Sequence, residues 1–315
     1  MNQHRPLRVL VIGQRNSFDQ ILAANVQCWG YEAIIVPSTM AVLGEEGIEG
    51  DVLLYDLDEA FRISMLTKGR DTPTLPIHLT KRIEQWWPRV RFTIALSSHS
   101  VSRATLEQIG AIAFLHKPFE MGRLQRYLRL LQKLLFEELV LPAGDANPDT
   151  TEETTRILVV DDDVDIADAL QQCLVEEAGY EVEVAYDGLE AVEQCLSWRP
   201  HCVVTDLIMP WMNGYQVMRC LAARWSQHVL PAFVVMSALT QLEAPVKRSY
   251  LEGKTVAYVD KPFQIDYLLT TIQQVLHKVG APLADTYLQN KTPVSRIGNH
   301  PGGEGGNTRP TERVS

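Results

Sequence analysis

The chain has 315 residues, 46% hydrophobic and 22% charged, with a formal net charge of −10. That length suits about two globular domains, and the acidity removes any general attraction for nucleic acid or an anionic membrane surface. No stretch reaches the ~18 apolar residues of a membrane span, and five scattered cysteines (Cys28, Cys173, Cys195, Cys202, Cys220) without a CxxC pair read as reduced, buried thiols of a cytoplasmic protein.

The opening MNQHRPLRVLVIG turns polar at once, so it reads as a first strand and not a signal peptide. A helix follows, with apolar positions Phe18, Ile21, Leu22, Val26 and Trp29, the spacing of a face packed on a sheet. Gly30 stands where a helix C-cap is expected. Next come DVLLYD (51–56), a buried strand ending in Asp56, and FTIALSS (92–98), a buried strand ending in serine. Between them lies the added segment KGRDTPTLPIHLTKRIEQWWPRV, whose Trp86-Trp87 suits either an interface or the cover of a core. AFLHKPF (113–119) is a short strand running into Lys117-Pro118-Phe119, followed by a helix with Leu124, Tyr127, Leu128, Leu131 and Leu135 on its apolar face.

LPAGDANPDTTEETT (141–155) has prolines, a glycine, four acids and no apolar period, and reads as a solvated linker. The pattern then starts again. RILVVDDDVDIADAL (156–170) echoes RVLVIGQRNSFDQIL (8–22), with helix positions Ile166, Ala169, Leu170, Cys173 and Leu174 and a C-cap at Gly179. HCVVTD echoes DVLLYD, FVVMSAL echoes FTIALSS, and AYVDKPF echoes AFLHKPF. The last helix carries Ile265, Leu268, Leu269, Ile272, Val275 and Leu276. From about residue 281 the Gly/Pro-rich chain reads as a disordered tail. Each half is therefore a set of alternating strands and helices. Strands apolar throughout imply a doubly wound parallel α/β sheet covered on both faces.

In such a sheet the chemistry collects beyond the C-terminal strand ends. The second half places Asp161, Asp162, Asp206, Ser237 and Lys261 there. Adjacent carboxylates repel one another, and a cation held by oxygen ligands, most simply Mg²⁺, offsets that repulsion. Asp163 and Asp165 are expected to serve as helix cap and first-turn charge. A carboxylate nucleophile, a metal pair, a hydroxyl and an ammonium suit phosphoryl transfer, in which catalysis is mostly positioning and charge neutralisation.

Residues 156–280 resemble the receiver domain of bacterial two-component response regulators. The acidic pair Asp161-Asp162, the stretch TDLIMPWMNG (205–214), Ser237 and the KPF lysine Lys261 match in order. The resemblance implies two five-stranded, flavodoxin-like receiver folds. It makes Asp206 the phosphoacceptor and the Ile208 main-chain carbonyl a further Mg²⁺ ligand beside Asp161, Asp162 and Asp206. It also makes Ser237 and Lys261 the phosphoryl-binding groups and Tyr258 the aromatic switch. A sensor histidine kinase or histidine phosphotransfer protein would be the donor. The family's output surface is usually the last helix, the last strand and the helix before it. The expected protein is a phosphoacceptor signalling protein and not a turnover enzyme. No DNA-binding output domain is expected.

The first half, 6–140, resembles a degenerate receiver. Asp56, Ser97 and Lys117 remain, but Gly13-Gln14 replaces the metal pair and Phe114 replaces the aromatic switch Tyr258. Asp56 is expected to be phosphorylated slowly or not at all, leaving a module that docks a partner or packs on the second receiver. One alternative is a phosphorylation-independent scaffold of two receiver folds. Asp56-Leu57-Asp58 also resembles the nucleophile loop of haloacid-dehalogenase-type phosphatases, but Ala60 stands where that loop has Thr or Val. A nucleotide-binding module would need glycines at the first strand–helix turn, where Asp161 to Asp163 would repel a phosphate.

Overall fold

The structure, a computed structural model, describes residues 5–13, 16–37, 49–58, 90–137, 154–223, 230–238 and 256–281. The first half contributes β1 (Arg8–Gly13), α1 (Ser17–Cys28), β2 (Glu32–Pro37), β3 (Val52–Asp56), β4 (Phe92–Ser97), α2 (Arg103–Gln108), β5 (Ala111–His116) and α3 (Met121–Phe136). The second contributes β6 (Arg156–Val160), α4 (Val164–Ala178), β7 (Glu181–Ala185), α5 (Gly188–Ser197), β8 (Cys202–Asp206), α6 (Gly214–Ala222), β9 (Ala232–Ser237), β10 (Val256–Asp260) and α7 (Ile265–Val279). Two five-stranded sheets form, in the orders β2-β1-β3-β4-β5 and β7-β6-β8-β9-β10. Every pairing is parallel. This is the doubly wound, flavodoxin-like α/β arrangement, and it occurs twice.

The strands form where apolar runs can be covered on both faces. All residues of β3, β4, β8 and β9 are buried, down to the terminal Asp56, Ser97, Asp206 and Ser237. Gly179 takes the left-handed conformation (φ 66°) that ends α4, as the sequence predicts. The buried helix stripes differ in phase from those read off the sequence. Helix α4 buries Ala167, Leu170, Leu174 and Ala178, while Ile166 is exposed. Helix α1 buries Asp19, Leu22, Ala23 and Val26, while Ile21 is exposed. Small alanines let each helix approach its sheet closely, so the buried stripe runs through Ala and not through the bulkiest residues. Of the cysteines, Cys195, Cys202 and Cys220 are buried as expected, Cys173 is partly buried and Cys28 is exposed; all are free thiols. Trp86-Trp87, most of the linker 141–155 and all but the first residue of the tail 281–315 lie outside the described residues.

Both sheets belong to one compact unit, Met1–Ala284, and the halves meet through side chains of α2, β5 and α3. Helix α3 buries Leu130 and Leu134 in addition to the predicted Leu124, Tyr127, Leu128 and Leu131, because it is covered on two sides. It shares one apolar cluster with Leu189 and Val192 of α5, Met212, and Tyr215 and Met218 of α6. Burying Tyr127, 1% exposed, contributes on the order of 2–3 kcal/mol. Polar contacts set the register across this face. The Phe114 N–H donates to the Trp211 carbonyl (2.8 Å), and the buried Gln216 amide donates to the Ala111 carbonyl (3.1 Å). The Arg123 guanidinium lies 3.6 Å from the Trp211 ring centre and 3.3 Å from Asp187; Arg126 pairs with Glu193 through Nε at 3.1 Å. Arg103 of α2 lies 4.5 Å over the Tyr215 ring.

Candidate functional site

The order β7-β6-β8 makes the edge between β6 and β8 a topological switch point. Strand β6 ends just before Asp161, which is 2% exposed; β8 ends at Asp206, and β9 at the buried Ser237. Asp161, Asp162 and Asp206 bring one carboxylate oxygen each within 4.8 Å of the others. The Lys261 ammonium lies 2.9 Å from both Asp161 Oδ2 and Asp206 Oδ1. Residues from four separate places in the sequence thus lie together at one edge of the sheet.

Local geometry fixes each group. Asp161 Oδ1 accepts from the Asp163 N–H (3.0 Å), and Asp206 Oδ2 accepts from the Ile208 N–H (3.0 Å). Asp163 caps α4, accepting from the Asp165 and Ile166 amides, so its role is the expected structural one. The Leu207 N–H donates to the Met236 carbonyl and the Lys261 N–H to the Ser237 carbonyl, tying β8, β9 and β10 together at the site. The loop after Asp206 turns back at once. Asn213 and Gln216 form a capping box at the start of α6, and a Cβ on Gly214 would lie 2.6 Å from the Asp206 carbonyl oxygen. Only glycine lets that turn pass so close to the aspartate. Tyr258 is partly buried on β10 near Tyr215, which Arg103 of the first half covers.

The electrostatics ask for a cation. Burial raises the Asp162 carboxyl above its ordinary value, and the negative charges of Asp161 and Asp206 push it the same way. Burial alone would lower the Lys261 pKa, but its hydrogen bonds to Asp206 and Asp161 outweigh that and raise it. One ammonium offsets part of three carboxylate charges. An oxygen-only cluster of this spacing fits a hard divalent ion such as Mg²⁺.

The first half repeats the frame with different contents. Lys117 Nζ reaches Asp56 Oδ2 (2.6 Å), and the Lys117 N–H donates to the Ser97 carbonyl, as Lys261 does at Ser237. No further carboxylate cluster of metal-binding spacing occurs among the described residues. Gly13 stands in place of Asp161, and Asp19 occupies the space its side chain would need: a Cβ on Gly13 would meet the Asp19 carboxylate at 2.2 Å. Asp19 is buried and held by a capping box with Asn16. The sequence reading missed this residue, although Asn16-x-x-Asp19 is a capping signature legible in it. It also missed the role of Asp58, whose carboxylate gathers the Ser97 and Ser98 hydroxyls, the Ser98 N–H and the Lys117 ammonium. The helix-facing contacts of Trp211, Tyr215 and Gln216 were not legible at all, since they depend on docking of the other half.

Comparison with known proteins bears on the second half. Residues 157–273 match the family model described as response regulator receiver domain. Response regulator MprA of Mycobacterium ulcerans is 36% identical over 126 residues, covering 40% of this chain and 51% of that protein. Its Mycobacterium tuberculosis counterpart is also 36% identical over 126 residues, covering 52% of its own length. The chain therefore spans about half the length of the curated relatives it matches. Among solved structures, the receiver domain of Francisella response regulator 1452 aligns at 28% identity and a TM-score of 0.35, covering 40% of this chain and 98% of that one. No described helix is long and apolar enough to cross a membrane. Residues 157–273 thus match a response regulator receiver domain, and the acidic cluster lies at the strand ends of that stretch.

Proposed function

We propose that this chain is a phosphorelay response regulator in which Asp206 accepts a phosphoryl group from a phosphohistidine donor, a sensor histidine kinase or a histidine phosphotransfer protein. A carboxylate oxygen of Asp206 forms the new O–P bond. The P–N bond to the donor imidazole breaks, and its electron pair stays on that nitrogen. The observation that carries the reading is the convergence of Asp161, Asp162 and Asp206 within 4.8 Å, bridged by Lys261. Asp161, Asp162, Asp206 and the Ile208 carbonyl would hold Mg²⁺, which when bound neutralises charge on the transferring group. Lys261 neutralises a phosphoryl oxygen, and Ser237 donates a hydrogen bond to another. Movement of Ser237 lets Tyr258 turn inward, biasing a two-state surface that a protein partner reads. Phosphorylation-dependent protein–protein contact, with no direct binding of nucleic acid, is the output. The domains are taken as 6–140, a linker 141–155, the receiver 156–280 and a tail 281–315.

Intact mass after incubation with Mg²⁺ and acetyl phosphate tests this on the wild type, Asp206→Asn and Asp56→Asn. One phosphoryl adduct, lost only in Asp206→Asn, is expected. An adduct that survives Asp206→Asn and disappears in Asp56→Asn refutes the assignment.

A further inference from the structure

Asp58 follows Asp56 by two residues, as Ile208 follows Asp206. The two backbones behave alike. The Asp58 N–H donates to Asp56 Oδ1 at 3.1 Å, and the Ile208 N–H donates to Asp206 Oδ2 at 3.0 Å. Their side chains do not. Ile208 is 54% exposed, whereas the Asp58 carboxylate folds back over the strand ends. Its Oδ1 accepts from Ser97 Oγ (2.7 Å) and the Ser98 N–H (2.7 Å), with His99 Nδ1 at 3.4 Å; its Oδ2 accepts from Ser98 Oγ (2.8 Å) and Lys117 Nζ (3.0 Å).

Ser97 and Lys117 are the first half's counterparts of Ser237 and Lys261, the pair that would grip phosphoryl oxygens on Asp206. Asp58 presents two anionic oxygens to that pair, beside an aspartate already tied to the same lysine at 2.6 Å. We propose that the Asp58 carboxylate is a built-in surrogate for a phosphoryl group on Asp56, holding the first half permanently in its phosphorylated-like arrangement. No metal is needed, in keeping with the Asp19 carboxylate that fills the space beside Gly13. The net effect on Asp58 agrees. Burial opposes its charge, but the bonds from Ser97, Lys117 and Ser98 prevail and hold the carboxyl well below the ordinary range.

This surrogate has a reader within the chain. Lys117 and Ser97 pin the ends of β5 and β4 to each other. Strand β5, α2 and α3 form the face docked on the second half, through Phe114, Arg103, Arg123 and Arg126. That face is the last strand, the last helix and the helix before them, the surface receivers usually present to partners. Its occupant is the α5–α6 side of the second half.

The inference rests on reading Ser237 and Lys261 as phosphoryl ligands, but its test reports on the first half alone. Hydrogen exchange is followed on the full chain in EDTA, for the wild type, Asp58→Gly and Asp58→Asn. In Asp58→Gly, amides of 97–99 and 111–117 should exchange about tenfold faster. Inorganic phosphate at tens of millimolar, seated where the carboxylate was, should restore slow exchange, and chloride at matched ionic strength should not. Should the glycine variant fail to fold, Asp58→Asn keeps the shape without the charge, and the same segments should exchange about threefold faster. Unchanged exchange, or acceleration that phosphate fails to reverse or chloride reverses equally, overturns the surrogate. The Asp206 adduct is scored separately by mass, so failure of one reading leaves the other to its own test.

Discussion

Replacing Lys261 by methionine removes the ammonium that bridges Asp161 and Asp206 at 2.9 Å. Asp161, Asp162 and Asp206 hold oxygens within 4.8 Å of one another, and at an effective dielectric of about 20 each such pair repels by roughly 3–4 kcal/mol. Removing one partner of a fully buried ion pair costs about 3–5 kcal/mol. The Asp161 side chain is 3% exposed and that of Asp206 12%, but the lysine is 24% exposed. Water therefore takes up part of the loss, and the expected cost is about 2 kcal/mol. A divalent cation held by the same carboxylates would supply the missing charge. Lys261→Met should thus be about 2 kcal/mol less stable than wild type in EDTA, and the gap should fall below about 1 kcal/mol in saturating Mg²⁺. Urea denaturation, followed by a probe in the second half, measures both gaps. An equal deficit with and without Mg²⁺, or no deficit in EDTA, refutes the argument that the lysine and a cation neutralise the same cluster.

Gly13→Ala places a Cβ at 2.2 Å from the capping Asp19 carboxylate, so overpacking should cost about 1–3 kcal/mol and lower the melting temperature; an unchanged melt would show that Asp19 moves aside freely. Arg123→Ala loses both the Trp211 stack and the Asp187 contact, about 1 kcal/mol together, and amides around Trp211 should exchange about fivefold faster with no change at the Asp206 adduct. Because the folded-state pKa of Asp58 is depressed, its contribution to stability is present above the ordinary aspartate value of ~3.9 and is lost as pH falls through the folded value. In an acid titration followed by carbon NMR, the Asp58 carboxyl should protonate after the exposed carboxylates, and titration among them would contradict the geometry.

Much of the second site was legible because its residues sit at strand ends. An apolar run that stops at Asp161, Asp206, Ser237 or Lys261 states both the strand and the edge at which the side chain emerges, and the parallel order brings those edges together. Helix faces were less legible. Apolar spacing identified α1 and α4 as helices but not which stripe they bury, since Ile21 and Ile166 fit the period as well as Ala23 and Ala167 do. Only packing against a particular strand chooses between neighbouring stripes, and there small residues win by allowing close approach.

The repeated strand–helix pattern by itself determined two parallel sheets, and in the second half the acidic residues and lysine that gather at the strand ends. Local sequence suffices for this because strand period, caps and the Lys-Pro-Phe turns act over a few residues. Tertiary structure decided what the first half became. Gly13 announced the loss of a strand-end carboxylate, but only the fold placed Asp19 in its space and turned Asp58 toward Ser97 and Lys117, residues 39 and 59 positions away. It also decided that Tyr127, Leu130 and Leu134 are buried in an apolar cluster that includes residues of the second half. Such contacts depend on side-chain direction and long-range docking, which no periodicity within one element encodes.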